Sequence, residues 1–155
     1  MIQVVSKNII TPIMEPLRFT KWKGEDGIET YIKQQTGCKP YSGAGICPRA
    51  FNNTTILRSV DDTYYYDDDL SNPEEPKYTL FGHNGDQDEN EKKFNKPLLD
   101  PLKTKHIFLY RVSEEGTRKV WYWYGKYSIT GKTIKENVGK DYKMRKIVIL
   151  SLKRA

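Results

Sequence analysis

The clearest pattern of apolar and polar positions lies in the last third of the chain. Residues 105–112 (KHIFLYRV) and 119–129 (KVWYWYGKYSI) are rich in β-branched and aromatic residues, and SEEGTR between them has the composition of a turn. This arrangement predicts two strands paired as a hairpin. Residues 145–154 (RKIVILSLKR) form an apolar run that predicts a third, buried strand. The polar, glycine-containing residues 130–144 are predicted to be a loop.

Helical spacing of apolar residues occurs in one segment near the start of the chain. Ile28, Tyr31 and Ile32 stand at positions i, i+3 and i+4, and Gly37 follows, which predicts a short helix. Residues 1–24 contain Pro12 and Pro16 and are expected to be irregular. A loop is expected at 39–48, short strands at 54–60, 63–68 and 78–82, and a turn or a helical turn at 95–102.

These elements together predict an α+β, strand-dominated fold, a curved sheet or barrel with one or two short helices. The chain has 155 residues, of which 12% are aromatic. Disordered chains are poor in aromatic residues, so we expect a folded single domain over residues 1–155. Its core is expected at about 50–153, with an N-terminal extension over 1–49 that carries the short helix.

Charge is unevenly distributed along the sequence. The formal net charge is +6, residues 61–91 are acidic, and basic residues dominate from Lys92 onward. A basic excess of this kind favours a polyanionic partner. The sequence has no apolar run near 18 residues and no signal-peptide pattern, and two cysteines do not make a secreted disulfide framework. We therefore expect no membrane association and an intracellular location, cytoplasmic or nuclear.

Segments that resemble metal- and nucleotide-binding motifs do not match the residue types or spacing that those motifs require. Asp86, Asp88 and Asn90 begin like an EF-hand loop, but Glu91 and Pro97 stand where a glycine and a bidentate glutamate are needed. The chain has only two histidines, too few for a His-Asn-His nuclease, and GKYSITGKT has one residue too many for a phosphate loop. We expect no metal, no cofactor and no catalytic activity. A metal-dependent enzyme built on acidic residues stays open as an alternative, with candidates Asp67, Asp69, Asp86 and Asp88.

The aromatic segment VWYWY leaves two interpretations open. Its alternation places Trp121 and Trp123 on one face of a strand and tyrosines on the other. The tryptophans are then either core residues or an exposed platform for stacking bases. The neighbouring Lys119 and Lys126 fit contacts to a nucleic-acid backbone.

The order of elements over residues 56–130 resembles the SRA (SET- and RING-associated) domain of the PUA-like superfamily and its relatives in modification-dependent restriction systems. The resemblance is carried by YDDD, with Tyr66 and Asp69 three positions apart, by the aromatic strand KYTLFG, by the loop FGHNGD and by FNK. Leu80 and Phe81 lie between Tyr78 and Gly82, which departs from the spacing of the family. The family's fold is β-rich, and its well-understood members bind DNA and flip a modified cytosine out of the duplex.

The resemblance implies a base pocket and a backbone-binding surface. A flipped base needs aromatic faces and hydrogen bonds at its Watson–Crick edge, and a carboxylate accepts from the exocyclic amine of cytosine. Asp69 is predicted to be that carboxylate. The predicted pocket comprises Tyr66, Asp69, Tyr78, Gly82, His83, Gly85 and Asp86. The predicted backbone contacts are Lys92, Lys93, Asn95 and Lys96, together with Lys119 and Lys126.

The sequence therefore predicts a DNA-binding domain that recognises a modified, flipped base without catalysis. The alternative outside enzymology is a protein-interaction module, such as a virus- or phage-encoded antagonist or a virion component. In that case the aromatic residues and acidic loops would contact a protein partner.

Overall fold

The computed structural model describes residues 15–40, 45–61 and 66–155. These residues form a strand-dominated α+β fold whose sheet curls into a half-barrel, which confirms the predicted fold class. The elements in chain order are β1 (Leu17–Phe19), α1 (Ile28–Thr36), β2 (Ile46–Arg49), a 3₁₀ turn (Ala50–Asn52), β3 (Thr54–Val60), β4 (Lys77–Thr79), α2 (Asn95–Leu99), β5 (His106–Glu115), β6 (Arg118–Val138) and β7 (Met144–Arg154).

The strands make one sheet in the order β2-β3-β5-β6-β7-β4, and β1 pairs with β6 beside this path. All neighbours are antiparallel except β3 and β5, which run parallel from the Thr54–His106 pair to the Val60–Val112 pair. The two strands therefore share a common starting end and a common finishing end. Both ends matter for the surfaces described below.

Side chains of the strands alternate between two core clusters, one on each face of the sheet. In β3, Leu57 packs in a barrel-side cluster with β4, α2 and β7, whereas Ile56 packs in a helix-side cluster under α1. In β5, Leu109 packs in the barrel-side cluster and Tyr110 in the helix-side cluster. The helix α1 is held there by its buried residues and ends, as predicted, where Gly37 adopts a left-handed conformation with φ 72°.

A bulge in β6 breaks this alternation at one place. Leu109 pairs with Gly125 and Tyr110 pairs with Trp123, so Tyr124 is an extra residue in β6. Gly125 has φ 107°, a conformation that side chains disfavour. As a result Tyr124 and Tyr127, three positions apart, both face the barrel-side cluster.

The structure corrects the predicted loop at 130–144, because β6 continues to Val138 and pairs with β7 as a long hairpin arm. Both faces of this arm carry exposed polar residues, so the hydrophobic pattern gave no sign of a strand. Cross-strand hydrogen bonds rather than burial define it, and only residues 139–143 form the turn. The predicted turn SEEGTR is likewise shorter, since β5 extends to Glu115.

Two further segments differ from expectation at the start of the chain. Residues 17–19, expected to be irregular, form β1 and pair with Trp121–Trp123 of β6. The predicted loop at 39–48 contains the first residues of β2, and its residues 41–44 lie outside the described part. The first three residues of the predicted strand at 63–68 also lie outside the described part, and Tyr66, Asp67 and Asp68 are not in a strand.

Candidate functional site

A cavity of about 800 Å³ opens at the finishing end of the parallel strands β3 and β5. Its walls come from the end of β3 and the residue after it, from β5 and β6, and from the acidic segment after residue 65. The lining residues used below are Ser59, Asp61, Tyr66, Asp68, Arg111, Tyr122 and Tyr124. The volume is ample for a single nucleobase with a substituent, and the wall combines aromatic rings with charged groups.

Asp68 is a half-buried carboxylate of this cavity. One of its oxygens accepts a hydrogen bond from the Ser59 hydroxyl at 2.6 Å, and the other accepts from the Thr79 backbone N–H at 2.6 Å. Burial raises the pKa of Asp68, and these two hydrogen bonds offset the shift only in part. A carboxylate has about four acceptor positions, so both oxygens keep capacity for a ligand.

Arg111 forms the opposite charged wall and is fixed from three sides. It donates to Asp61 at 2.6 Å and to the hydroxyl of Tyr124 at 3.1 Å. Its guanidinium also lies 4.4 Å from the centre of the Tyr122 ring, a cation–π contact. Tyr122 and Tyr124, two positions apart in β6, lie on the same side of the strand and both line the cavity.

Tyr66 connects the cavity to the glycine-containing loop. The Gly82 backbone N–H donates to the Tyr66 hydroxyl at 3.4 Å, and the Tyr66 and His83 rings lie 5.7 Å apart. Gly82 has φ 139°, so this approach relies on a glycine. Burial lowers the pKa of His83, and the nearby charges of Lys140 and Arg145 lower it further. The loop, which we call the rim, therefore adjoins the cavity through its contacts with Tyr66.

The β6–β7 hairpin arm braces this rim, a role that the sequence did not indicate. The Lys140 N–H donates to the His83 carbonyl at 2.8 Å, and the Asp141 N–H donates to the Asn84 side chain at 2.8 Å. Lys135 pairs with Asp67 beside the cavity. At the tip, Tyr142 is 80% exposed, with lysines on either side of Asp141 and Tyr142. The arm thus presents cations and an exposed ring next to the cavity.

The structure separates the predicted pocket residues. Tyr66 lines the cavity and Gly82 and His83 form its rim, whereas Tyr78 is 3% exposed and donates its hydroxyl to the Arg58 carbonyl. Asp69 is exposed and accepts from Ser71 instead of facing the cavity. In this segment the acidic residue that lines the cavity is Asp68, one residue earlier. We therefore leave Tyr78 and Asp69 out of the site proposed below.

The loop residues that follow His83 include two side chains that attach the loop to β7. Asp86 accepts from the Lys146 backbone N–H at 2.8 Å and so fastens the loop to β7. Gly85 has φ 68° and is exposed. Gln87, which follows Asp86, donates from its side-chain amide to the Leu80 carbonyl and accepts from the Val148 N–H. These contacts hold the rim in place without facing the cavity.

The predicted backbone contacts are scattered over different surfaces. Asn95 is fully buried, where its amide accepts from the Phe81 N–H and donates to the Phe81 and Asp88 carbonyls. It is thus a clamp of the loop, and we do not propose it as a nucleic-acid contact. The Lys93 amine lies 5.2 Å from the Phe94 ring. Strand alternation puts Lys119 and Lys126 on the helix-side face, away from the cavity.

Lys92 and Lys96 lie in a second depression, which we call the basic groove. It has a volume of about 390 Å³. Its lining consists of Pro48, Arg49, Ala50, Lys92, Lys96, Pro97, Asp100 and Lys103. Arg49 pairs with Thr54 at the start of β3, so the groove lies at the starting end of the β3–β5 pair. The cavity lies at the other end.

The two tryptophans pack against neighbouring aromatic residues on the helix side. Trp123 is 7% exposed and lies against Phe108 and Tyr31, with ring centres 5.7 and 5.9 Å apart. Trp121 lies 5.8 Å from Trp22. Of the two interpretations of VWYWY, the geometry favours the core.

The acidic candidates for a metal centre are each engaged elsewhere. Asp67 pairs with Lys135, and Asp88 accepts from the Asn90 N–H. In residues 15–40, 45–61 and 66–155, no three His, Cys, Asp or Glu side chains come together as a metal-binding group. Cys38 and Cys47 are buried free thiols of the helix-side cluster. None of the helices in the described ranges is long and apolar enough to cross a membrane.

No family model matches the chain, and no curated protein does. Several solved structures are nevertheless similar in fold. KRYPTONITE, crystallised with mCHH DNA, an H3(1-15) peptide and SAH, matches 92% of this chain and 32% of its own, with 17% identity and a TM-score of 0.60. MspJI restriction endonuclease, in complex with a 27-mer oligonucleotide, matches 92% of this chain and 42% of its own, with 15% identity and a TM-score of 0.60.

A third similar structure is the complex of the SUVH5 SRA domain with methylated CHH DNA. It matches 81% of this chain and 82% of its own length, with 20% identity and a TM-score of 0.50. The chain thus corresponds to nearly the whole of an SRA domain but to less than half of the two longer proteins. The resemblance to SRA domains is therefore confirmed at the level of the fold.

Proposed function

We propose that this chain is a DNA-binding reader domain that holds a flipped, modified cytosine in the cavity and does not itself cut DNA. The observation that carries the proposal is the position of Asp68, a half-buried carboxylate with spare acceptor capacity, in one cavity with the ring of Tyr66. Similar folds crystallised with methylated DNA support it. Such a reader acts in the cytoplasm or the nucleus, where duplex DNA is found.

The chemistry of Asp68 matches the Watson–Crick edge of cytosine. That edge offers the exocyclic amine as a donor and the ring N3 as an acceptor. A carboxyl group that shares one proton with N3 accepts from the amine with one oxygen and bonds N3 through the other. Burial raises the pKa of Asp68, and this favours the protonated form that the pairing needs.

The DNA backbone is assigned to the hairpin arm. Lys140 and Lys143 stand at its tip, beside the rim formed by Gly82 and His83. Lysines at this place would contact phosphates flanking a base that enters the cavity, adding affinity that is independent of sequence. The Tyr66 ring would then stack on one face of the base.

The test is a binding titration with three duplexes that differ at one cytosine: plain, methylated and hydroxymethylated. At low salt we expect binding to all three, with a preference for a modified duplex of about tenfold or more. Asp68→Ala removes both the donor and the acceptor that face the base and should lower affinity for the modified duplex by about 10- to 100-fold. Asp68→Asn, whose amide has the same donor and acceptor as the protonated carboxyl, should keep most of that affinity. Asp69→Ala, at the exposed neighbour, is the matched control.

Two results would reject the proposal. One is no binding to any duplex at low salt. The other is a preference that survives Asp68→Ala while Asp69→Ala removes it. Thermal unfolding of Asp68→Ala checks that a loss of binding is not a loss of fold. Asp68→Asn can keep the native hydrogen bonds, because its amide oxygen accepts from the Thr79 N–H and its NH₂ donates to Ser59.

A further inference from the structure

The basic groove carries more positive charge than its surroundings neutralise. Four cationic residues and one acidic residue line it. Within the part of the chain that the structure describes, no carboxylate forms an ion pair with Lys92, Lys96 or Lys103. A concave site with unneutralised cations attracts an anionic ligand.

Two large exposed apolar side chains are next in the sequence to lining residues of the groove. Phe51 follows the lining residue Ala50, Leu102 precedes the lining residue Lys103, and each is 78% exposed. The two segments are tied together, since the Asn53 side chain donates to the Leu102 carbonyl at 3.1 Å. An exposed aromatic ring and an exposed leucine beside a charged groove are typical of protein-interaction surfaces.

The groove is separated from the base cavity by the length of the strands. Thr54 lies at the groove end of β3 and Val60 at the cavity end. The six residue-to-residue steps between them, at about 3.3 Å each, span about 20 Å. A ligand in the groove therefore need not compete with a base in the cavity. The inference below stands whether or not the cavity binds DNA.

We propose that the basic groove binds an acidic segment of a partner protein that carries a bulky apolar side chain. The carboxylates of such a segment pair with Lys92, Lys96 and Lys103, and its apolar side chain packs between Phe51 and Leu102. A DNA backbone would satisfy the lysines but not the two apolar residues, because phosphates and sugars offer no comparable apolar surface. Charge complementarity together with the apolar border thus selects an acidic peptide over a nucleic acid.

The experiment is a selection from a library of short random peptides displayed on phage, with the whole chain as bait. We expect enrichment of peptides rich in Asp and Glu that contain an aromatic or aliphatic residue. For a synthetic copy of the enriched sequence, the triple variant K92E/K96E/K103E should weaken binding by about tenfold or more. The double variant F51S/L102S should weaken it by about tenfold. The control K119E/K126E changes cations on the helix-side face and should leave binding unchanged.

Several results would overturn the proposal. These are a selection without acidic peptides, and a selected peptide whose affinity survives F51S/L102S. If the triple variant loses affinity for unmodified duplex DNA and for the peptide to the same extent, and the two ligands compete, the groove would be assigned to nucleic acid. Self-association of the wild type that F51S/L102S abolishes, measured by light scattering, would assign it to a second copy of the chain. Thermal unfolding of each variant confirms that a loss of binding is not a loss of fold.

Discussion

The guanidinium of Arg145 donates a hydrogen bond to the backbone carbonyl of Gly82, joining β7 to the rim of the cavity. Arg145 is buried and also donates to the Asn137 side chain at 3.2 Å across the hairpin arm. One side chain thus links the arm to the rim.

Replacing Arg145 with methionine keeps the apolar stem and removes these hydrogen bonds. Because the Gly82 carbonyl loses a charged donor, we expect the free energy of unfolding to fall by about 2–3 kcal/mol. Urea denaturation measures it. Lys146→Met, at an exposed neighbour that uses only its backbone here, should change stability by less than about 0.5 kcal/mol. Equal effects of the two variants would contradict the linking role of Arg145.

Asn95→Ala should be among the most destabilising single changes in the loop. It leaves two carbonyls and one N–H of the loop without their partner, and we expect a loss of about 3 kcal/mol in the free energy of unfolding. Asn90→Ala, at an exposed position of the same loop, is the control. A stable Asn95→Ala variant that binds DNA more weakly would instead return Asn95 to the nucleic-acid surface.

The stability of the protein should depend on pH through Asp68. Its pKa is raised in the folded state above the ordinary value of 3.8, so the folded state binds this proton more tightly than the unfolded chain does. The contribution is present in full below pH 3.8 and is lost as the pH rises through the raised pKa. Relative to Asp68→Asn, the wild type should therefore gain stability as the solution is acidified. A difference between the two that is constant with pH would contradict this.

Tyr66→Leu should remove the stacking surface of the proposed pocket. We expect a loss of about 1–3 kcal/mol of binding free energy for a modified duplex, with a smaller effect on unmodified DNA, whose bases stay stacked. Tyr78→Phe is the control, because the buried Tyr78 contributes a hydrogen bond to Arg58 and no cavity surface. It should lower stability slightly and leave the preference between duplexes unchanged. If Tyr78→Phe changed the preference between duplexes and Tyr66→Leu did not, Tyr78 would be restored to the pocket.

The lysines at the tip of the hairpin arm should set the salt dependence of binding. Lys140→Gln with Lys143→Gln removes two cations, so the slope of log affinity against log salt should become shallower by about two. Affinity should fall by a similar factor for modified and unmodified duplexes. Lys119→Gln with Lys126→Gln tests the surface predicted from the sequence, and we expect little change from it. A larger effect of the Lys119/Lys126 double variant than of the Lys140/Lys143 double variant would place the DNA on the helix-side face.

The sequence predicted those elements whose residues are buried. The strands at 54–60, 105–112 and 145–154 and the helix over Ile28–Thr36 have apolar residues at a recognisable period, and the structure contains all four. The outer half of β6 escaped prediction because both of its faces meet solvent, so that backbone pairing with β7 is the main interaction that holds it. Strand β1 escaped because three residues are too few to show a period.

The site was harder to predict because burial, not spacing, selects its carboxylate. Asp67, Asp68 and Asp69 are equivalent in the sequence, and only the fold directs the middle one toward Ser59 and Thr79. The bracing by Arg145 and the hairpin arm connects residues about 60 positions apart, which no local pattern reveals. The resemblance to SRA domains predicted a pocket in this region, and the structure places Tyr66 and Asp68, but not Tyr78 or Asp69, in the cavity proposed as that pocket.

The parallel pairing of β3 and β5 also fixes a distance. A hydrogen-bonded strand pair is stiff along its length, so the groove at one end and the cavity at the other keep a constant separation of about 20 Å. If each end is occupied as proposed, the strand pair is a molecular ruler. It would hold an acidic partner at a set reach from one marked nucleotide, and the chain would act as an adaptor that measures as well as recognises.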